Sequence, residues 1–150
     1  MTILLNQLSE KILARDFVGY LHEFTSSEVK HEVDVNEQRD NGSWSLFYQA
    51  CFNCCSEHVQ YMIKEQGAKV DQQLSSETPL MITCKSEFCS PDVLKVVKLL
   101  CLEGCIVNAS NSSGTTAFMY ACSNGHTDVV KFLLMMDVSL EAQDNNAYNV

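Results

Sequence analysis

A seven-residue pattern that occurs three times constrains the fold of this chain more than any other feature. Each copy reads hydroxyl residue, any residue, apolar residue, two further residues, small residue, cysteine, and the copies occupy 45–51, 78–84 and 116–122. The interval between the second and third copies is therefore longer than the interval between the first and second. Self-similarity at a period of roughly 33 residues predicts a repeat architecture, in which short units bury their apolar faces against one another.

Each copy has the residues of a helix start. The hydroxyl group of Ser45, Thr78 or Thr116 can accept a hydrogen bond from the unpaired N–H groups of a first helical turn. Pro79 stands at a first helical position, where its missing N–H costs nothing. The small sixth residue of each copy lets neighbouring helices approach closely. The pattern therefore predicts one helix at each of these places.

A second apolar run follows each of the last two copies. The runs at 96–100 and 129–133 both begin Val-Val-Lys and are separated by the shorter of the two intervals, so the extra residues of the middle unit fall between its helices, around 85–95. The sequence Ser-Pro-Asp at 90–92 supplies a capping hydroxyl, a tolerated proline and an acid for the helix dipole. We therefore predict that the second helix of the middle unit starts early.

Glycines mark where second helices should end. Gly67 and Gly104 fall at the positions where a helix ends in a left-handed conformation, which glycine adopts without strain. Asp137 holds this position in the third copy and tolerates the conformation less well.

The third unit carries the most complete motif. Residues 116–126 read Thr-Ala-Phe-Met-Tyr-Ala-Cys-Ser-Asn-Gly-His, and 129–134 read Val-Val-Lys-Phe-Leu-Leu. These runs resemble the ankyrin repeat, whose pattern is Gly-x-Thr-Pro-Leu-His-x-Ala, then Gly-His, then Val-Val-x-x-Leu-Leu. The resemblance implies an all-α solenoid of helix-turn-helix units with short finger loops. Ala117 for proline, Met119 for histidine and Cys-Cys-Ser at 54–56 for Gly-His-Thr depart from the pattern.

The register divides the chain into units. Residues 41–74, 75–111 and 112–144 are predicted repeats, the second with an insertion between its helices, and 145–150 begin a further repeat. Residues 1–40 are predicted to form two degenerate capping helices and a polar connection. An unfinished stack exposes apolar side chains, so we expect its C-terminal end to pack on further repeats or to self-associate.

The N-terminal segment shows helical spacing of apolar residues. Asp16 is positioned to cap the second of its two predicted helices. Residues 25–43 are rich in charged and hydroxyl residues, and we expect them to be a polar and mobile connection. The apolar positions assigned to the two helices are Leu5, Leu8 and Ile12, then Phe17, Val18, Tyr20, Leu21 and Phe24.

Composition bounds the class of partner and compartment. The net charge of −9 argues against nucleic acid and favours a basic protein or peptide. The first residues lack the pattern of a signal peptide, and no apolar run is long enough for membrane insertion, so we expect an intracellular protein, cytoplasmic or nuclear. The eight cysteines then indicate reduced thiols.

One cluster has the spacing of metal ligands, formed by Cys51, Cys54, Cys55 and His58. Cys51 occupies the same position as the cysteines that end the other two copies, so the stronger interpretation is core packing, and we predict no metal. His58 or His126 could serve a cysteine nucleophile as base, but no oxyanion turn accompanies them. We predict no catalytic residue and no cofactor.

The ankyrin resemblance implies a concave groove that binds proteins. The position before each capping hydroxyl, together with the outward side of each first helix, would line it. These predicted partner-binding residues are Trp44, Gln49, Phe52, Asn53, Glu77, Ile82, Lys85, Ser86, Thr115, Tyr120, Ser123 and Asn124.

Trp44 is the foremost candidate, because tryptophan is enriched at interface hot spots and this one is the single tryptophan of the chain. Two alternatives stay open: Trp44 packs under the polar segment before it, or a one-residue shift of register places it at the capping position. The leading hypothesis is a non-catalytic interaction module, an adaptor, scaffold or substrate-recognition part of a larger protein. The others are a structural or autoregulatory segment that packs on another domain, and a zinc- or thiol-dependent enzyme.

Overall fold

The computed structural model describes residues 2–26, 33–38, 44–88, 90–136 and 138. Within these ranges the secondary structure consists of α-helices, with two isolated bridges and no strand. The helices are α1 (Thr2–Leu13), α2 (Phe17–Ser26), α3 (Leu46–Phe52), α4 (Ser56–Glu65), α5 (Pro79–Lys85), α6 (Ser90–Leu102), α7 (Ala117–Ser123) and α8 (Thr127–Leu134).

The helices form two rows. In the first row α1, α3, α5 and α7 stack in chain order, and in the second α4, α6 and α8 do the same. Each helix of the second row packs on its partner in the first, as α3 with α4, α5 with α6 and α7 with α8. The predicted all-α solenoid of helix-turn-helix units is confirmed.

Hydroxyl caps fix the register of the three units. The side-chain oxygens of Ser45, Thr78 and Thr116 accept hydrogen bonds from backbone N–H groups three residues later, at 3.2, 3.3 and 3.3 Å. Each bond pairs one of the N–H groups that a helix start leaves without a partner. Because Ser45 is the cap of α3, the alternative register that places Trp44 at the capping position is wrong.

The middle unit contains the predicted early helix start. The shared Val-Val-Lys runs make Leu94 the equivalent of Thr127, where α8 begins, yet α6 already begins at Ser90. Helix α6 is therefore about one turn longer at its N-terminal end. Gly67 and Gly104 have φ values of +65° and +84°, which confirms the predicted left-handed helix ends. Asp137 lies outside the described residues.

Helices α1 and α2 form a helical pair at the start of the stack, as predicted. The Oδ1 atom of Asp16 accepts a hydrogen bond from the N–H of Gly19 at 2.9 Å, which confirms Asp16 as a cap. Val18 is 77% exposed, so its assignment to the apolar face is wrong. The buried ring of Tyr20 and the half-buried rings at 17 and 24 share one face of α2 at helical spacing, and Val18 lies off that face.

Part of the predicted polar connection is packed. Val35 and Asn36 are buried, and the carbonyl oxygen of Val35 accepts a hydrogen bond from the N–H of Phe47 at 3.0 Å. The Asn36 side chain donates to the carbonyl oxygen of Gly67 and accepts from the N–H of Lys69, at 3.1 and 2.8 Å. Residues 33–38 are therefore packed on the stack and not only a polar connection, and residues 27–32 and 39–43 lie outside the described residues.

The core runs along the interface between stacked units. Cys51 and Cys84 are buried in it, as their shared position in the repeat predicts. Cys122, at the same position of the third unit, is exposed, so its expected burial is wrong. The reason is that no described element follows α7 in the first row, whereas α5 and α7 cover the corresponding faces of α3 and α5.

Candidate protein-binding groove

An aromatic pair stands at the first repeat. The rings of Trp44 and Phe52 meet edge to face with centroids 4.9 Å apart, and both side chains are half-buried. The carbonyl oxygen of Trp44 accepts a hydrogen bond from Nε2 of Gln49 at 3.0 Å, which fixes the residue against α3. Both rings therefore keep exposed surface while their orientation is set.

The amides of Gln49 and Asn53 are used within the fold. The Ser9 hydroxyl donates to Oε1 of Gln49 and so ties α1 to α3. Nδ2 of Asn53 donates to the carbonyl oxygen of Gln49 at 2.8 Å. These two predicted site residues are half-buried, and their hydrogen bonds hold the helix that carries the aromatic pair.

A polar bridge joins the second and third repeats and is formed by Glu77, Lys85, Tyr120 and Asn111. Nζ of Lys85 lies 3.2 Å from Oε1 of Glu77, and the Tyr120 hydroxyl donates to the same oxygen at 2.6 Å. Nδ2 of Asn111 donates to the Tyr120 hydroxyl at 3.2 Å, and Nζ of Lys85 lies 5.5 Å from the Tyr120 ring centre. The lysine side chain is 43% exposed and the glutamate 15%, so the cation is the accessible end of the bridge.

Burial and the neighbouring Glu77 carboxylate raise the pKa of Tyr120 to about 12. Burial is the larger cause, and the hydrogen bond that the phenol donates to the carboxylate acts in the same direction. Tyr120 is therefore a protonated donor at neutral pH.

Two predicted groove residues are not accessible. Ile82 is 1% exposed and Ser86 is 0% exposed, so the prediction that they face a partner is wrong. Helix α5 packs on both α3 and α7, so it has less free surface than the spacing of its residues suggests. The Ser86 hydroxyl accepts from the N–H of Phe88 at 3.2 Å and lies 3.5 Å from Sγ of Cys54.

The third repeat supplies the remaining candidates. Ser123 is exposed, and Thr115 is half-buried with its N–H donated to Oδ1 of Asn111 at 2.9 Å. Asn124 is exposed, and its Nδ2 donates to the carbonyl oxygen of Cys84 at 3.0 Å, so it also joins two repeats. No helix among the described residues combines the length and apolarity that a membrane crossing requires.

Comparison with known proteins agrees with this geometry. A model of ankyrin repeats in three copies matches residues 47–144, most of the chain. The chain belongs to the ankyrin-repeat family. Repeats of this family are general protein–protein interaction modules, and the first-row and second-row helices of this ankyrin-repeat protein pack unit on unit.

Two relatives of this ankyrin-repeat chain are several times longer than the segment that matches it. A protein of Rickettsia bellii (strain RML369-C) named as a putative ankyrin repeat protein is 28% identical over 119 residues, which are 77% of this chain and 35% of the relative. A protein of Oryza sativa subsp. japonica with the name "Probable E3 ubiquitin-protein ligase XBOS33" is 41% identical over 51 residues, 34% of this chain and 10% of the relative. The chain thus spans about a third or less of the length of these relatives.

A contact that the sequence did not indicate joins the turns at the other end of the helices. Nη2 of Arg15 donates to the carbonyl oxygen of Cys54 at 3.2 Å and lies 3.0 Å from Oδ2 of Asp92. The guanidinium also lies 5.5 Å from the ring centre of Phe88, in the insertion of the second repeat. Arg15 and Phe88 belong to different units and are far apart in the sequence, so no local pattern could have paired them.

The residues with metal-ligand spacing do not converge in this ankyrin-repeat protein. The described residues contain no group of three or more histidine, cysteine or acidic side chains that could hold a metal ion. Cys54 faces the Ser86 hydroxyl, Cys55 donates to the carbonyl oxygen of Ile12 at 3.3 Å, and His58 packs on two rings of α2. Burial raises the pKa of each of these two thiols to about 11, so neither is a thiolate at neutral pH.

His126 has a structural partner. Its Nε2–H donates to the carbonyl oxygen of Ser86 at 2.8 Å, and the side chain is buried. The imidazole therefore joins the third repeat to the second.

Proposed function

We propose that the concave side of the first-row helices binds a protein or peptide and that binding is not accompanied by catalysis. The observation that carries the proposal is the aromatic pair of Trp44 and Phe52, whose rings pack edge to face while both residues remain only half-buried. Aromatic side chains that are already ordered lose little entropy on binding and supply most of the energy of many interfaces.

The polar bridge extends this surface along the stack. Glu77 and Thr115 occupy the position of Trp44 in the next two repeats, and Lys85 and Ser123 occupy the position of Phe52. A bound segment that crosses the repeats would meet an aromatic anchor first and then hydrogen-bonding groups. This order favours a partner with an apolar side chain near one end of its bound segment and polar residues after it.

A basic partner is the best electrostatic match. The chain has a net charge of −9, so long-range attraction speeds association with a basic segment and weakens as salt rises. The same charge is unfavourable for a nucleic acid, whose phosphates would be repelled.

We propose that the module is part of a longer adaptor, scaffold or substrate-recognition protein, because the relatives it matches are several times longer. The seven free cysteines among the described residues favour a reducing compartment, the cytoplasm or the nucleus. A segment that packs on another domain of the same protein could use the same groove, and binding of that domain in trans would identify this case.

Selection from a random peptide display library tests the groove without a known partner. Peptides enriched on the wild-type chain are expected to lose at least about tenfold in affinity for the Trp44→Ala and Phe52→Ala variants, as at other aromatic hot spots. Leu102→Ala is the matched control, because Leu102 is 82% exposed on α6 in the second row. Thermal melting of all three variants separates lost binding from lost folding. Equal affinity of the selected peptides for all variants would overturn the proposal.

A further inference from the structure

Two thiols face each other where helix α6 ends. Cys101 lies in the last turn of α6 and is half-buried, and Cys105 lies just beyond the helix and is buried. Their Sγ atoms are 3.9 Å apart, with the thiol of Cys105 donating to the sulfur of Cys101. The pair is therefore already in direct contact in the reduced protein.

A backbone turn places Cys105 beside Cys101. Gly104 adopts φ +84°, and its N–H donates to the carbonyl oxygen of Cys101 at 3.1 Å. The N–H of Cys105 donates to the carbonyl oxygen of Leu100 at 3.2 Å, which folds Cys105 back onto the helix. The N–H of Ile106 then donates to Oδ1 of Asp71 at 2.6 Å and anchors the chain that leaves the turn.

The distance suits bond formation. A disulfide has an S–S length of about 2.05 Å, so the two sulfurs must approach by roughly 1.9 Å for the bond to form. Cys101 is half-buried whereas Cys105 is buried, so Cys101 is the more accessible of the two residues to a small oxidant.

The hydrogen bond assigns different roles to the two thiols. The proton donated by Cys105 stabilises negative charge on the sulfur of Cys101 and lowers the pKa of Cys101. The pKa values of the buried Cys51 and Cys84 are instead raised, because burial disfavours their thiolates. Cys101 is therefore the better nucleophile of this group.

We propose that Cys101 and Cys105 form an oxidation-sensitive dithiol, in which Cys101 reacts with a hydroperoxide and Cys105 resolves the product as an intramolecular disulfide. In the first step the Cys101 sulfur attacks one oxygen of hydrogen peroxide, the O–O bond breaks, and the products are a sulfenic acid and water. In the second step the Cys105 sulfur attacks the sulfenic sulfur, and hydroxide leaves with the Cys105 proton as a second water. Two thiols are oxidised by two electrons, and one peroxide is reduced to two waters.

The chain treated with a small excess of hydrogen peroxide tests the proposal. The expected product is a monomer lighter by two hydrogen atoms, in which proteolytic mapping links Cys101 to Cys105 and which dithiothreitol reverts. This measurement uses the wild-type chain, so its result is valid even if a substitution impairs folding. A disulfide from either sulfur to the buried Cys84, or only intermolecular disulfides through the exposed Cys122, would overturn it.

Two variants separate the roles of the pair. Cys105→Ala is expected to retain a sulfenic acid on Cys101 that dimedone traps, and Cys101→Ala is expected to lose both the trapped adduct at this site and the disulfide. Cys122→Ala is the matched control and keeps the intramolecular link. Dibromobimane, which becomes fluorescent on bridging two close thiols, provides a second readout in the reduced protein. Absence of bridging at this pair would contradict the geometry.

Discussion

The turns between the two helices of the first and third repeats occupy equivalent positions but use different residues. In the third repeat Gly125 adopts φ +69° and His126 donates to the carbonyl oxygen of Ser86, which caps the end of α5. In the first repeat Cys54 adopts φ +52° and the Cys55 thiol donates to the carbonyl oxygen of Ile12, near the end of α1.

The first repeat therefore lacks the Gly-His motif but keeps the left-handed turn residue and a side-chain hydrogen bond to the preceding unit. A thiol is a weaker donor than an imidazole, and a left-handed cysteine is strained where a glycine is not. The first repeat has contacts that the third does not match, namely the bond from Arg15 to the carbonyl oxygen of Cys54 and the packing of His58 on two aromatic rings of α2. A degraded motif can therefore retain its geometry when neighbouring units supply other contacts.

The largest effect is expected for His126→Ala. This change leaves the buried carbonyl oxygen of Ser86 without its partner and opens a cavity, and should lower the free energy of unfolding by about 2 to 3 kcal/mol. Cys55→Ala, at the equivalent position, should cost about 1 kcal/mol, because the lost bond is weaker. Urea denaturation followed by circular dichroism measures both losses. Equal losses would show that the thiol bond of the first repeat contributes as much stability as the imidazole bond of the third.

Gly125→Ala tests whether the turn of the third repeat requires a residue that adopts the left-handed conformation without strain. A Cβ added at Gly125 meets no atom within 4 Å, so the cost is conformational and should be about 1 kcal/mol. The midpoint of urea denaturation should fall without a change of slope. A stabilised variant would show that the left-handed turn is not required.

Arg15→Met tests the additional contact of the first repeat. The ion pair is partly exposed, so we expect a loss of only about 0.5 to 1 kcal/mol, mostly from the bond to the carbonyl oxygen of Cys54. Lys95→Met is the matched control, because Lys95 pairs with the same Asp92 at 3.7 Å and is more exposed. Equal losses of stability in the two variants would show that Arg15 contributes no more to the fold than Lys95 does.

The smallest expected effect is a change in how the stability of the fold depends on pH. Burial lowers the pKa of His58, although the charges of Glu57 and Asp16 oppose this and Arg15 adds to it. Below about pH 6.5 the unfolded chain therefore binds a proton that the folded chain does not, so this contribution destabilises the fold as pH falls. His58→Gln should lose less stability than wild type between about pH 7 and pH 5.5. A steeper loss in the variant would contradict the sign.

Local chemistry accounts for what the sequence predicted well. The hydroxyl caps of the three first helices, the left-handed glycines at helix ends and the early start of α6 depend on neighbours within a few residues, and the structure confirms these three predictions. Cap spacing set the register of the second and third repeats, and the Ser45 cap seen in the structure settled the register of the first.

The features that the sequence did not predict are set by contacts between stacked units. The burial of Ile82 and Ser86 and the exposure of Cys122 depend on which helices cover each face. The burial of Val35 and Asn36 depends on bonds to residues of the following unit, and the contacts of Arg15 span three units. Such long-range contacts leave no periodic trace in a single sequence.

Trp44 allows the most direct measurement of the central claim, because it is the single tryptophan and belongs to the proposed groove. Titration of the wild-type chain with a peptide selected on it should shift the Trp44 emission to shorter wavelength and saturate, with an affinity that weakens as salt rises. Phe52→Ala should weaken the response and Leu102→Ala should leave it unchanged. Saturable binding by calorimetry with no change in Trp44 emission would place the partner elsewhere and contradict the proposed groove.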